Sequence, residues 1–231
     1  TDADYNVAIG KGALGTNQLG SRNTAVGTNS LHIANPATAV NMYNTGVGYD
    51  AGYAVTTGIQ NTLIGGLTGD ALTTGNGNTA VGYLALSLED AHGYNTAVGH
   101  SALPVLNAGA DANNVALGYY AGFTTSTGVS NTFLGTGAGA FCTTGDHNTF
   151  VGKYAALGIT GNKLTGNSNV AVGVEAGKVL QGSANANTIV GTSAADSVTT
   201  GVGNVYMGYD CAAYGNNATT GSDNVIIGAF T

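Results

Sequence analysis

A five-residue stretch with one hydrophobic pattern recurs along this chain. It opens on Asn, continues β-branched, variable, aliphatic, and closes on Gly, as in Asn78-Thr79-Ala80-Val81-Gly82. The copies begin at Asn6, Asn23, Asn44, Asn61, Asn78, Asn95, Asn114, Asn131, Asn148, Asn169, Asn187, Asn204 and Asn224, with a base period of 17 that stretches to 21. Self-similarity at a fixed short period marks a stacked repeat architecture. Seventeen residues are too few for two strands and a helix, so each copy predicts one coil of an all-β, parallel β-solenoid. About 13 coils of 17–21 residues form a single continuous array over 1–231, on the order of 60 Å long if rungs stack at ~4.8 Å.

Numbering each copy from its Asn, position 2 is Thr or Val and position 4 is always a sizeable apolar residue. Period-2 alternation puts these two on one face, and their apolar, β-branched character predicts that this face is the core. Gly at position 5 supplies a corner. A second short extended segment is expected around positions 6–9, as in Tyr83-Leu84-Ala85-Leu86, with Ala at position 8 in nine copies. Polar turns such as Thr73-Thr74-Gly75 close the coil. The Asn row reads as a structural ladder of side chains hydrogen-bonded rung to rung.

Position 3 is then expected to point outward. It carries Leu63, Ala80, Ala97, Ala116, Phe133, Phe150, Ile189, Tyr206 and Ile226 and never a charge. An outward apolar stripe predicts a lateral interface with another chain. Tyr49, Tyr83, Tyr119 and Tyr209 at position 6 are expected to serve packing or subunit contact.

Composition sharpens the picture. Of 231 residues 39 are Gly and only 7% are charged, while 43% are hydrophobic. That balance excludes a charge-rich disordered chain. The five bases (Lys11, Arg22, Lys153, Lys163, Lys178) are scattered, so a nucleic-acid partner is not expected. No apolar run reaches the ~18 residues of a membrane span, so no membrane insertion is expected. The chain opens at Thr1 with neither initiator Met nor signal peptide and reads as a processed or excised segment. Motif copies near both termini leave no capping element, and bare rungs favour end-to-end stacking.

Little catalytic chemistry is legible. No paired carboxylate row recurs at one coil position, so no enzyme is expected. His32, His92, His100 and His147 share no metal-like spacing. His92 and His100 flank a connector near Glu89 and Asp90, but zinc needs three or four converging ligands, and no metal or cofactor is expected. Cys142 and Cys211 lie four rungs apart, roughly 19 Å by strand spacing, too far for a disulfide. Asn217-Ala218-Thr219 is an isolated glycosylation pattern.

Copies such as Asn23-Thr24-Ala25-Val26-Gly27, Asn95-Thr96-Ala97-Val98-Gly99 and Asn169-Val170-Ala171-Val172-Gly173-Val174-Glu175-Ala176-Gly177 resemble the repeats of YadA-like heads of trimeric autotransporter adhesins. They are also similar to the Asn-Thr-Ala-Val-Gly repeat regions of bacteriophage-type tail fibres. The resemblance covers essentially the whole chain and implies a left-handed β-roll, often trimeric, that binds surfaces or spaces a binding tip. The coil here is 17 residues against about 14 in the adhesin heads, and no coiled-coil stalk, membrane anchor or chaperone domain is expected within these 231 residues. The expectation is an extracellular structural or adhesive fibre subunit (cell surface, filament or virion fibre) whose partner is a further copy of itself, with a cell-surface or glycan target. The alternative is a ligand-binding solenoid for glycan or ice. An ice binder needs an outward Thr array, and Thr at position 2 is expected to face the core.

Overall fold

The structure, a computed structural model, describes residues 3–212 and 220–230. The Asn217-Ala218-Thr219 pattern lies outside the described residues. The protein is all-β with thirteen coils, and among the described residues no helix is long and apolar enough to cross a membrane. Contacts cluster into two compact units, Thr1–Asn113 and Asn114–Thr231.

Both units are built alike. Each copy of the motif forms one three-residue strand over positions 2–4. The first unit has strands at Val7–Ile9, Thr24–Val26, Thr45–Val47, Thr62–Ile64, Thr79–Val81 and Thr96–Val98. The second has Val115–Leu117, Thr132–Leu134, Thr149–Val151, Val170–Val172, Thr188–Val190, Val205–Met207 and Val225–Ile227. Within a unit, successive strands pair in parallel, and like positions meet: Thr79 with Thr96, Ala80 with Ala97, Val81 with Val98. Lengthened connectors are absorbed without loss of register. The 21-residue spacing after Asn148 loops out around an Ile159–Asn162 bridge, and Leu164 then returns to pair with Cys142 and Gly182.

The expected second extended segment at positions 6–9 is instead a ribbon of turns. In the coil that starts at Asn169, Ala176 N–H donates to Gly173 O, Lys178 N–H to Glu175 O and Leu180 N–H to Gly177 O, at 3.3, 3.2 and 2.9 Å. The third residues of the first two turns, Glu175 and Gly177, sit at φ 59° and 58°. Positive φ there is what a type II turn demands. The same columns recur: Leu84 and Leu86 have φ 56° and 53°, and the residue before the Asn, such as Tyr94 at φ 61°, is left-handed too. Most of these residues carry side chains, which costs backbone energy at every coil. Bonds between coils hold them there, as Ala156 N–H to Ala176 O at 2.8 Å.

Gly at position 5 is needed for a second reason besides its φ. At Gly82, with φ +131°, an added Cβ would lie 2.5 Å from the Gly99 carbonyl oxygen of the next coil. The backbones stack too closely for any side chain.

The core lies between the strand and the turn ribbon, and it overturns the expected facing of the strand. Position 3 points inward: Leu63, Ala80, Ala97, Ala116, Phe133, Phe150, Ile189 and Tyr206 are all fully buried. Ile226, in the last strand, is half-buried. They meet the small residues of position 8 and the residues of position 9. In several coils a large residue at one of positions 3 and 9 faces a small one at the other, and in none are both large. Ala80 and Ala97 share coils with Leu86 and Leu103, whereas Phe133 and Leu63 share coils with Gly139 and Gly69. A Cβ on Gly139 would sit 2.5 Å from the Phe133 ring, and one on Gly69 would sit 2.9 Å from Leu63 Cδ2. Near-crystalline interior density leaves room for one large side chain per coil, not two. Phe133 and Phe150 pack with ring centroids 5.7 Å apart.

The nine residues expected to form a lateral interface are therefore core residues or, for Ile226, partly covered. The physical reason is the Asn ladder. Positions 1 and 3 share a face under period 2, and a ladder inside the coil brings position 3 inside with it.

Candidate functional site

Two features of the fold carry chemistry: the ladder inside and the strand face outside. From Asn23 to Asn204 every motif Asn is buried, while Asn6 and Asn224 at the outer rungs are half-buried. The backbone N–H of one Asn donates to the Oδ1 of the Asn in the coil before. Asn61 to Asn44 and Asn78 to Asn61 are both 2.9 Å, and Asn131 to Asn114 is 2.8 Å. The Nδ2 group adds a bond to the same Oδ1, as from Asn204 to Asn187 at 2.9 Å. It also closes its own coil by donating to the carbonyl at position 15: Asn61 to Gly75 O at 2.9 Å and Asn187 to Gly201 O at 2.7 Å. Asn is the side chain that offers an acceptor along the stack and two donors at this length. The ladder is structural hardware, with its polar atoms spent on the fold apart from Asn23 Nδ2, which is buried without a partner.

Outside the coil stand positions 2 and 4. In the first unit Thr24, Thr45, Thr62, Thr79 and Thr96 form a half-exposed Thr column beside Val26, Val47, Ile64, Val81 and Val98. In the second, Val115, Thr132, Thr149, Val170, Thr188, Val205 and Val225 stand beside Leu117, Leu134, Val151, Val172, Val190, Met207 and Ile227. Exposure is substantial for the larger members: 38% for Ile64, 44% for Leu117 and 42% for Met207. No residue at positions 2 or 4 is charged. An open strand face usually carries polar residues, so an aliphatic column on it is unusual. Parallel strand geometry spaces each column at ~4.8 Å along the stack and sets the two columns roughly 6.6 Å apart.

Aromatic side chains flank this face in sequence on both sides. Tyr49, Tyr83, Tyr119 and Tyr209 at position 6 are exposed, as are Tyr5, Tyr43 and Tyr94 just before the Asn. Arg22 lies between Tyr5 and Tyr43 on successive coils, its guanidinium carbon 4.8 and 5.8 Å from the two ring centroids. Tyr119 and Tyr120 stack at 4.0 Å and line, with Phe123, Phe141, Tyr154 and Leu157, an apolar cavity of about 180 Å³.

The remaining reactive groups are few. Both cysteines are free and buried. Burial pushes the Cys142 thiol up from 9.0 to about 12, so it is held as an unreactive thiol. Lys178 and Glu175 pair on the surface at 3.1 Å. At the connector where no metal site was expected, three of the four residues named there come together. Glu89, Asp90 and His92 place a ligand atom each within 4.8 Å of one another. Glu89 is fully buried, at the coil position that holds Leu72 and Leu106 in the neighbouring coils. Its Oε1 accepts from His92 N–H at 3.1 Å and meets His92 Nδ1 at 3.3 Å. Burial raises the Glu89 carboxyl above its ordinary range, against an opposing pull from the hydrogen bond and charge of His92. A charged residue in a buried column that is otherwise uncharged, with Leu72 and Leu106 as its neighbours, was the available signal. His100, the other histidine weighed at this connector, instead lies against Tyr83, with centroids 5.4 Å apart.

Comparison with protein-family models, with curated proteins and with solved structures gives no match.

Proposed function

We propose that this chain is a structural segment of an extracellular fibre or filament, and that it associates laterally with copies of itself through the outward face of positions 2 and 4. The observation that supports this most is the uncharged Thr and aliphatic pairing of that face in both units. Water gains little from an aliphatic column, and covering it releases apolar area. A second copy offers a surface with the same repeat in both directions, so many rungs are satisfied at once, as in a dry strand-face zipper. The resemblance to trimeric adhesin heads and tail-fibre repeats fits the same use. Such a segment acts by geometry and stiffness and needs no catalytic group.

Sedimentation velocity on the purified chain tests this reading, together with the triple variant Ile64→Lys, Val81→Lys, Val98→Lys. The parent is expected to sediment as a species larger than its 22.7 kDa mass, and the variant as a monomer with an unchanged circular dichroism spectrum. A monomeric parent at tens of micromolar, or an equally assembled variant, overturns the proposal.

A second reading has its own observation. Five consecutive coils of the first unit present outward Thr, the array an ice-binding solenoid needs. Thermal hysteresis that is present in the parent and lost in a Thr62→Leu, Thr79→Leu variant would favour this reading over self-association.

A further inference from the structure

We propose that Glu89, Asp90 and His92 form a binding site for one divalent transition-metal ion of the zinc class, built into the turn of the fifth coil. Three observations converge on it. The first is proximity: the three ligand atoms lie within 4.8 Å of one another. Two ligands at ~2.1 Å from one ion stand roughly 3–4.3 Å apart, so a small side-chain adjustment closes the set. The second is an orphan. Glu89 is fully buried, and its Oε2 has no hydrogen-bond partner. Full desolvation of a carboxylate oxygen with nothing to compensate it is among the costliest arrangements a fold can hold. A bound cation supplies the missing partner. The third is the column in which Glu89 sits. Its counterparts one coil away on either side, Leu72 and Leu106, are fully buried aliphatics. A carboxylate there weakens the core unless something neutralises it.

The donor set selects the ion. One imidazole nitrogen with two carboxylates suits zinc and its first-row neighbours, whereas calcium and magnesium sites are built from oxygen alone. His92 is partly open to solvent, with its side chain 25% exposed, which leaves a route for the ion and room for water in the remaining positions. The backbone around the cluster is held from both sides. His92 O accepts from Asn78 Nδ2 at 3.1 Å, and Asp90 O accepts from the Thr73 hydroxyl at 2.7 Å. An ion at this point ties the turn of one coil to the Asn ladder and closes a coil that lacks the Thr-Thr-Gly turn of the two coils before it. The role is structural, as in a metal clip that keeps water in its open positions, and it stands independently of self-association.

Equilibrium dialysis of the tag-free chain against micromolar zinc, followed by metal analysis, tests the site. The parent is expected to retain one equivalent per chain and to melt at a higher temperature with zinc than with chelator. His92→Gln and Asp90→Asn are expected to reduce bound zinc to background and to remove the zinc-dependent shift in melting, with unchanged circular dichroism. His147→Gln, which alters an exposed histidine elsewhere, is expected to bind like the parent. Cobalt substitution should give visible d–d bands in the parent that His92→Gln loses. Zinc well below one equivalent in the parent, or full retention in either His92→Gln or Asp90→Asn, overturns the assignment.

Discussion

Replacing Asn61 with Ala removes one rung of the ladder and leaves the rest of the coil in place. The side chain makes three bonds: its Oδ1 accepts from Asn78 N–H at 2.9 Å, and its Nδ2 donates to Gly75 O at 2.9 Å and to Asn44 Oδ1 at 3.2 Å. Asn44 Oδ1 keeps a partner, because the Asn61 backbone N–H still reaches it at 2.9 Å. The Asn78 N–H and the Gly75 carbonyl do not, and both residues are buried. Each orphaned buried group costs about 1–3 kcal/mol, so Asn61→Ala should cost about 3–5 kcal/mol. Repeat arrays lose stability locally before they lose it globally, so the assay must read this coil. Hydrogen exchange followed on the Asn78 amide does so: a 3 kcal/mol loss corresponds to a fall in protection on the order of 100-fold. Thr62→Ala, one residue on and half-exposed, serves as control and should change stability by no more than about 0.5 kcal/mol. A loss below about 1 kcal/mol for Asn61→Ala with Asn78 protection unchanged would refute the ladder as a source of stability.

Three further perturbations probe other columns. Phe133→Ala should cost about 3–5 kcal/mol in chemical denaturation because the ring is buried, where an outward Phe would cost little. Adding Gly139→Leu should recover part of that loss by restoring the reciprocal pairing seen at Ala80 and Leu86, and no recovery would count against size complementarity. Gly82→Ala should cost upwards of about 2 kcal/mol, since φ is +131° and the new methyl meets the Gly99 carbonyl; thermal melting checks it. Cys142 should resist a thiol reagent at pH 8 until the chain is unfolded. Because its folded pKa is raised, the stability it contributes is complete below 9.0 and is lost as pH climbs toward about 12, readable as a falling melting temperature across that window.

The repeat, the parallel coil and the strand position were legible because they depend on period and composition, which survive in one sequence. Facing was not, because Thr-Ala-Val satisfies alternation with either side inward. Hydrophobicity favoured Val81 as core over Ala80, yet the narrow coil admits Ala80 and Leu86 together and leaves Val81 outside. Two signals were present. Buried Asn at position 1 carries position 3 with it, and Phe133 with Gly139 against Ala97 with Leu103 is a size covariation that only core neighbours need. The turn ribbon was hidden for a different reason: Leu84 and Leu86 give no sequence hint of left-handed backbone, because bonds to adjacent coils impose it. Reversal of the Thr column also removes the ground on which an ice-binding surface was set aside.

The central claim is that position 4 faces outward and meets another copy, and cysteine cross-linking tests it most directly. The native thiols are buried and silent, so a single Val81→Cys reports alone. Under mild oxidation Val81→Cys should form disulfide-linked dimers, whereas Thr74→Cys, exposed in the turn, should remain monomeric. Dimers from Thr74→Cys at equal or greater yield, or none from Val81→Cys, would contradict the account.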